Sequence, residues 1–165
     1  MKLKDETNKL PVCAQISVRA IIIEDGKVLM VEHEHTDKRG KFWIFPGGGV
    51  EEGETIPDAA IRETEEETGI IVKSIGVAHV REAQTLGQRA FEIYVVCKKI
   101  GGILKVGSDP EAPELVSIID TRWFSADELN EILYYPETLW KTLPDWVKTG
   151  NVPIIPLPAF KVVER

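Results

Sequence analysis

Residues 47–70 read GGGVEEGETIPDAAIRETEEETGI: three glycines, then a crowd of acids that ends in Glu65, Glu66 and Glu67. Like charges three or four residues apart on a helix repel, so this density calls for screening by solvent or for a cation. Thr55 is placed to cap a helix, with Asp58 three residues on and Pro57 in its first turn, and Gly69 ends it. At about 100° per residue, with Glu63 at zero, Glu67 falls at about 40° and Glu66 at about −60°. Three carboxylates thus share an arc of about 100°, and Glu65 points away from it. Pro57, Ala60, Ile61, Thr64 and Thr68 fill the neighbouring arc, a compact face suited to lie against a sheet. One stripe packs and the adjacent one gathers hard oxygen donors, which suit Mg²⁺ or Mn²⁺ rather than zinc. Glycines ahead of the helix let backbone come close to a metal or a phosphate. An acidic helix face or a glycine turn is by itself ordinary solvated structure; the combined spacing points to metal-bound phosphate.

Outward from this stretch, 165 residues with 43% hydrophobic content suit one globular domain with a proper core. A net charge of −7 argues against a nonspecific grip on nucleic-acid backbone. It leaves room for an anionic substrate if metal ions carry the positive charge. Cys13 and Cys97 form no disulfide framework and no zinc spacing, and are expected as buried thiols. The first twelve residues, MKLKDETNKLPV, lack an apolar signal core, and no run approaches the ~18 apolar residues of a membrane helix. A cytoplasmic location, away from membranes, is the default expectation. One domain over 1–165 is expected, with 1–12 as an N-terminal extension and 150–165 as an irregular tail.

Strands are expected at 14–24 and 27–35, joined by an Asp25-Gly26 hairpin turn, and at 42–45, stopped by Pro46. After the acidic helix, strands are expected at 70–82, 89–100 and 115–124, with a loop over 101–114. Ser125 and Glu128 form a second capping box that predicts a helix to about residue 133. A third, weaker helix is predicted over 136–148. Strands alternating with helices argue an α/β or α+β sandwich.

The acidic stretch resembles the Nudix box, G-x5-E-x7-R-E-U-x-E-E-x-G-U, where U is bulky and apolar. Gly48 is followed after five residues by Glu54, after seven more by Arg62-Glu63, and then by Glu66-Glu67, Gly69 and Ile70. Thr64 departs from the pattern, standing where a large aliphatic residue is usual. The entry from Trp43 to Gly48 and the run from Trp123 to Leu129 extend the resemblance over roughly the whole chain. It implies a sandwich built on a mixed sheet with helices on both faces, and a Mg²⁺- or Mn²⁺-dependent pyrophosphohydrolase of the MutT-like kind. The substrate would be a nucleoside diphosphate linked to another group: a nucleotide sugar, a nucleoside triphosphate or a dinucleotide. The implied metal ligands are Glu63, Glu66, Glu67 and the backbone oxygen of Gly47. Glu54 and Arg62 would pair to orient those carboxylates. Glu66 is the candidate base that takes a proton from the attacking water. Further acids outside the box are Glu92, Glu111, Glu114 and Asp120.

For substrate binding, Gly48, Asp120 and two arginines, Arg81 and Arg89, are the candidates; the arginines pair with phosphate or merely keep the surface soluble. Lys38, Arg39 and Lys41 form a basic loop that reaches a terminal phosphate or serves only as a loop. His33 and His35 are expected on an exposed strand. Tyr134, Tyr135, Trp140 and Trp146 stack on a base or, as such rings more often do, build core or a homodimer contact. No proline occurs from Ala59 to Asp109, so the downstream proline of many ADP-ribose hydrolases is missing. Three other readings compete. A nucleotide-sensing module would tolerate loss of Glu66 or Glu67, yet both are present. An isoprenoid diphosphate isomerase would want a catalytic cysteine that Cys13 and Cys97 are poorly placed to supply. An interaction protein with an acidic helix leaves the glycines unexplained.

Overall fold

Alternating apolar residues at Val18, Ala20 and Ile22 on one face and Ile21 and Ile23 on the other give a strand two cores to serve. The computed structural model describes residues 14–35, 40–85, 88–107 and 116–155. It contains β1 (Ala14–Glu24), β2 (Lys27–His35), β3 (Lys41–Ile44), α1 (Ile56–Thr68), β4 (Ile70–Thr85), β5 (Gln88–Gly102), β6 (Val116–Ser125) and α2 (Leu143–Thr149). One sheet runs β3-β2-β1-β5-β4, with β6 paired to β2. β1 and β5 are parallel and the other pairs antiparallel, so the sheet is mixed. The expected α+β sandwich is the observed fold.

β1 and β2 stay paired only beside their turn, at Ile23↔Val28 and Glu24↔Lys27. Asp25 and Gly26 take φ of 49° and 70° there, the left-handed pair of a tight hairpin. Beyond the turn the two strands part. The chain at 46–50 fills the edge that β1 leaves open: Ala20 N donates to Pro46 O, Val18 N to Gly48 O, and Val50 N to Ile16 O. The glycine run is therefore held as a pseudo-strand on β1, not as a loose loop.

One core lies under α1: Val18, Ala20, Ile22, Leu29, Ala59, Ala60, Ile70, Val72 and Val95 are all buried. The second lies on the opposite face, where Ile21, Met30, Phe45, Tyr94 and Phe124 meet Leu143 and Val147 of α2. Each fully buried aliphatic side chain contributes about 1.5–3 kcal/mol. On α1 the residues Ala59, Ala60, Glu63, Thr64, Glu67 and Thr68 are buried. The packed arc is thus wider than expected and takes in two of the three carboxylates.

The two later helices need correction. Ser125 and Glu128 do form their box, with Ser125 N donating to Glu128 Oε2 at 2.8 Å and Glu128 N to Ser125 Oγ at 3.4 Å. Only a 3-10 turn, Glu128–Glu131, follows. β3 competes for the next residues: Trp43 N donates to Leu133 O, and Tyr135 N to Trp43 O. The expected helix over 136–148 is a 3-10 turn at Glu137–Leu139 and then α2. Pro144 has no N–H and would clash inside a continuous helix, but fits the first turn of α2. His33 is also corrected. It is buried rather than exposed, because β2 lies between β6 and β3 and Phe42 stacks on the ring at 5.7 Å. Tyr134 is buried and Trp146 packs on the α2-side core, which favours the structural reading of that aromatic run. In the described tail, Ile155 pairs with Val77. Among the described residues no helix is long and apolar enough to cross a membrane. Cys13, Lys38, Arg39, Glu111 and Glu114 lie outside the described residues.

Candidate active site

α1 starts where Thr55 accepts from Asp58 N and ends where Gly69 turns left-handed at φ 70°. That fixes its register against β1, and with it the side chains that face the glycine run. Gly47 N donates to Glu67 Oε2 at 2.8 Å. Gly47 has φ of 146°, and a Cβ there would stand 2.0 Å from Val18 O, so no larger residue fits without moving β1. At Gly48 a Cβ would stand 2.5 Å from Glu63 Oε1. The loop glycine and the buried carboxylate share one space.

Arg62 is the centre of the arrangement. Its Nε and Nη2 donate to the two oxygens of Glu54, each at 2.9 Å. Nη1 reaches Glu63 at 2.9 Å and Glu66 at 3.2 Å, and Nη2 also reaches the Gly49 carbonyl at 3.0 Å. Glu51 stands 3.6 Å away. The fork on Glu54 matches the bidentate geometry that guanidinium favours. The Arg62 hydrogen bond holds the Glu54 carboxyl below the usual carboxylate range, against the opposing effect of its burial. The same bond, followed by the one to Glu63, pushes Arg62 above its ordinary value. Glu54 and Arg62 thus form the pair expected from the sequence, and the pair also ties the glycine run to the helix.

The three carboxylates differ in exposure. Glu63 is 2% exposed and Glu67 1%, whereas the Glu66 side chain is 35% exposed. Glu66 lines an open cleft of about 580 Å³ together with Glu54, Arg62 and Lys105. Among the described residues no group of three His, Cys, Asp or Glu side chains converges closely enough to hold a metal ion. Arg62 draws Glu63 and Glu66 toward itself, and Glu67 is turned to Gly47 N. The donor set still fits a hard divalent cation: carboxylates outnumber the guanidinium that meets them, and buried carboxylates need a counter-charge.

A second polar group lies on the face of the sheet away from α1; its Glu92 and Arg81 were candidates from the sequence, whereas Arg19 and Tyr94 escaped that reading. Arg19 donates from Nη1 to the Gly47 carbonyl and stands 3.8 Å from Glu92 Oε1. Glu92 Oε2 accepts from Arg81 at 3.0 Å and from Tyr94 OH at 3.1 Å. Burial, and then the Glu92 charge, push the Tyr94 phenol well above its ordinary value. The signal for Arg19 was available: it is one cation inside AQISVRAIIIE, a run otherwise read as strand core. Of the predicted substrate residues, Arg81 is drawn to this region, whereas Gly48 lies against Glu63 on the α1 side. Arg89 is not: its ion pair among the described residues is with Glu82 at 3.6 Å, both side chains more than half exposed. Asp120 is exposed on β6, where its Oδ1 accepts from Thr121 N at 2.7 Å.

Comparison with known proteins places these features in company. A family profile described as NUDIX domain matches residues 14–146. An ADP-ribose pyrophosphatase of Methanocaldococcus jannaschii is 32% identical over 133 residues, which cover 79% of this chain and 73% of that protein. An 8-oxo-dGDP phosphatase of Mus musculus is 32% identical over 92 residues, or 56% of this chain, but the match spans only 27% of that longer protein. Among solved structures, a hydrolase of Nitrosomonas europaea superposes with a TM-score of 0.71 at 22% identity, covering 92% of this chain and 98% of that one.

Proposed function

The chain belongs to the Nudix family, hydrolases of phosphorus-containing acid anhydrides, and from that premise we propose that it cleaves the diphosphate linkage of a nucleoside diphosphate derivative with the help of Mg²⁺ or Mn²⁺. The observation that carries this reading is the Arg62 hub, which binds Glu54, Glu63, Glu66 and the Gly49 carbonyl at once. It presents hard oxygen donors beside a backbone that only glycine can form. Similarity to a protein named for ADP-ribose makes that compound the first substrate to test, although the missing downstream proline argues against a typical ADP-ribose hydrolase.

In this reading Glu63, Glu66, Glu67 and the Gly47 carbonyl hold the cation. When bound, it would draw charge from the diphosphate oxygens and stabilise the transition state. Glu66 is the most exposed of the three carboxylates and faces the cleft, so it is the group placed to accept a proton from the attacking water. Arg62 orients Glu66 through Nη1 while Glu54 keeps the guanidinium from turning. Arg81 supplies charge for a phosphate oxygen on the substrate. The isomerase alternative is disfavoured further by Cys97, which is buried and whose thiol burial pushes up to about 12; such a thiol is inert at neutral pH.

The test is turnover of ADP-ribose, NDP-sugars, NADH, dNTPs and dinucleoside polyphosphates with Mg²⁺, with products resolved chromatographically. Glu66→Gln is expected to lower kcat by about 10²–10⁴-fold while leaving the melting temperature near that of the wild type. Full turnover in that variant removes Glu66 from its role, and turnover unaffected by a chelator removes the cation.

A further inference from the structure

The Gly47 carbonyl oxygen has two claimants. The diphosphate-hydrolase reading gives it to a divalent ion, but Arg19 already donates to it. The backbone of Arg19 is fixed beside that loop, because its neighbours in β1 hold it through Val18 N to Gly48 O and Ala20 N to Pro46 O, so only the side chain is left to change partner. Its side chain is only 17% exposed, yet among the described residues Nε meets no hydrogen-bond acceptor. A largely buried guanidinium with an unmet donor is poorly satisfied where it stands.

A second resting place lies beside it. Glu92 Oε2 is taken by Arg81 and Tyr94, while Oε1 faces Arg19 at 3.8 Å, an ion pair just short of a hydrogen bond. A small rotation of the guanidinium gives up Gly47 and gains Glu92. Two guanidiniums around one carboxylate also leave a positive excess, which suits a phosphate oxyanion. A divalent ion and a guanidinium on one carbonyl oxygen repel strongly at that separation.

Resting on the hydrolase reading above, we propose that Arg19 is a placeholder cation: it competes with the divalent ion for the Gly47 oxygen, and on displacement turns to Glu92 and the phosphate oxygens of the substrate. Arg19 then couples arrival of the ion to readiness for the anion.

The experiment is calorimetric titration of the full chain with Mn²⁺, without substrate. Arg19→Gln is expected to bind Mn²⁺ at least ~5-fold more tightly than the wild type, the lower end of ordinary site-to-site coupling. Arg81→Gln removes the same charge from the same group without touching Gly47, and is expected to change Mn²⁺ affinity less than about twofold on the same scale. With substrate, KM of Arg19→Gln is expected to rise at least ~10-fold with kcat changed far less, as for a lost binding contact. Arg19→Met keeps the buried stem and repeats the titration should the glutamine variant fold poorly. Mn²⁺ affinity unchanged in the Arg19 variants, or tightened equally in Arg81→Gln, overturns the proposal. A wild type that binds Mn²⁺ and loses it in Glu67→Gln, beside an indifferent Arg19→Gln, leaves the hydrolase reading standing and removes only the placeholder. A wild type that neither binds Mn²⁺ nor hydrolyses any diphosphate removes both.

Discussion

Two arginines meet the same glycine run from opposite faces of the sheet, and they are treated differently. Arg62 on α1 uses all three guanidinium nitrogens, on Glu54, Glu63, Glu66 and the Gly49 carbonyl. Among the described residues Arg19 on β1 makes one hydrogen bond, to Gly47, and holds Glu92 at arm's length. Both are largely buried, so solvent does not make up the difference. A fully engaged guanidinium is scaffold, since every motion breaks a charged hydrogen bond. A partly engaged one is free to change partner, which is what binding an anion requires.

The strongest test of this contrast is the residue that both regions share. Gly47→Ala puts a Cβ 2.0 Å from Val18 O at a φ of 146°, and both the Glu67 bond and the Arg19 bond depend on that backbone. The expected cost is about 3 kcal/mol or more, which lowers the melting temperature by about 10 °C in a chain of this size. A variant that melts like the wild type shows that β1 and the glycine run are not rigidly joined. Next in size, Arg62→Lys loses the fork and leaves Glu63 buried beside a single ammonium. Its expected cost is about 1–3 kcal/mol, against less than about 1 kcal/mol for Arg19→Lys. Equal costs by chemical denaturation erase the distinction between scaffold and mobile arginine.

The smallest effect is read in acid. Arg62 holds the Glu54 carboxyl below its ordinary value of 4.5. A group with a depressed folded value contributes stability above its unfolded value and loses it as pH falls through the folded one. The melting temperature of the wild type is therefore expected to decline below about pH 4.5, and Glu54→Gln to flatten part of that decline while lowering stability at neutral pH. A decline of the same slope in both proteins assigns the acid sensitivity elsewhere than to Glu54.

α1 was legible because its signals are local and agree. Thr55, Pro57 and Gly69 bound it, and the 3.6-residue period sorts its faces. β1 and β2 were legible for the same reason, from apolar runs around Asp25-Gly26. The segment after β6 was not. Ser125 and Glu128 made a correct cap, but the free edge of β3 took Leu133 and Tyr135 for itself, and a helix of one turn was left. His33 failed similarly: two histidines on alternate strand positions say nothing about whether a strand lies in the middle of a sheet.

The sequence by itself determined the helix that gathers Glu63, Glu66 and Glu67 and the glycines before it, because its caps and its 3.6-residue period are local and follow from backbone geometry; the pairing of Glu54, which precedes the helix, with Arg62 was implied only by the resemblance to the Nudix box. Tertiary structure decided which of those carboxylates are buried. It also brought Arg19 from β1, Glu92 and Tyr94 from β5 and Arg81 from β4 onto one side of the glycine run. No local rule relates residues 19, 47, 81 and 92; only the parallel pairing of β1 with β5 and the parting of β1 from β2 set them side by side.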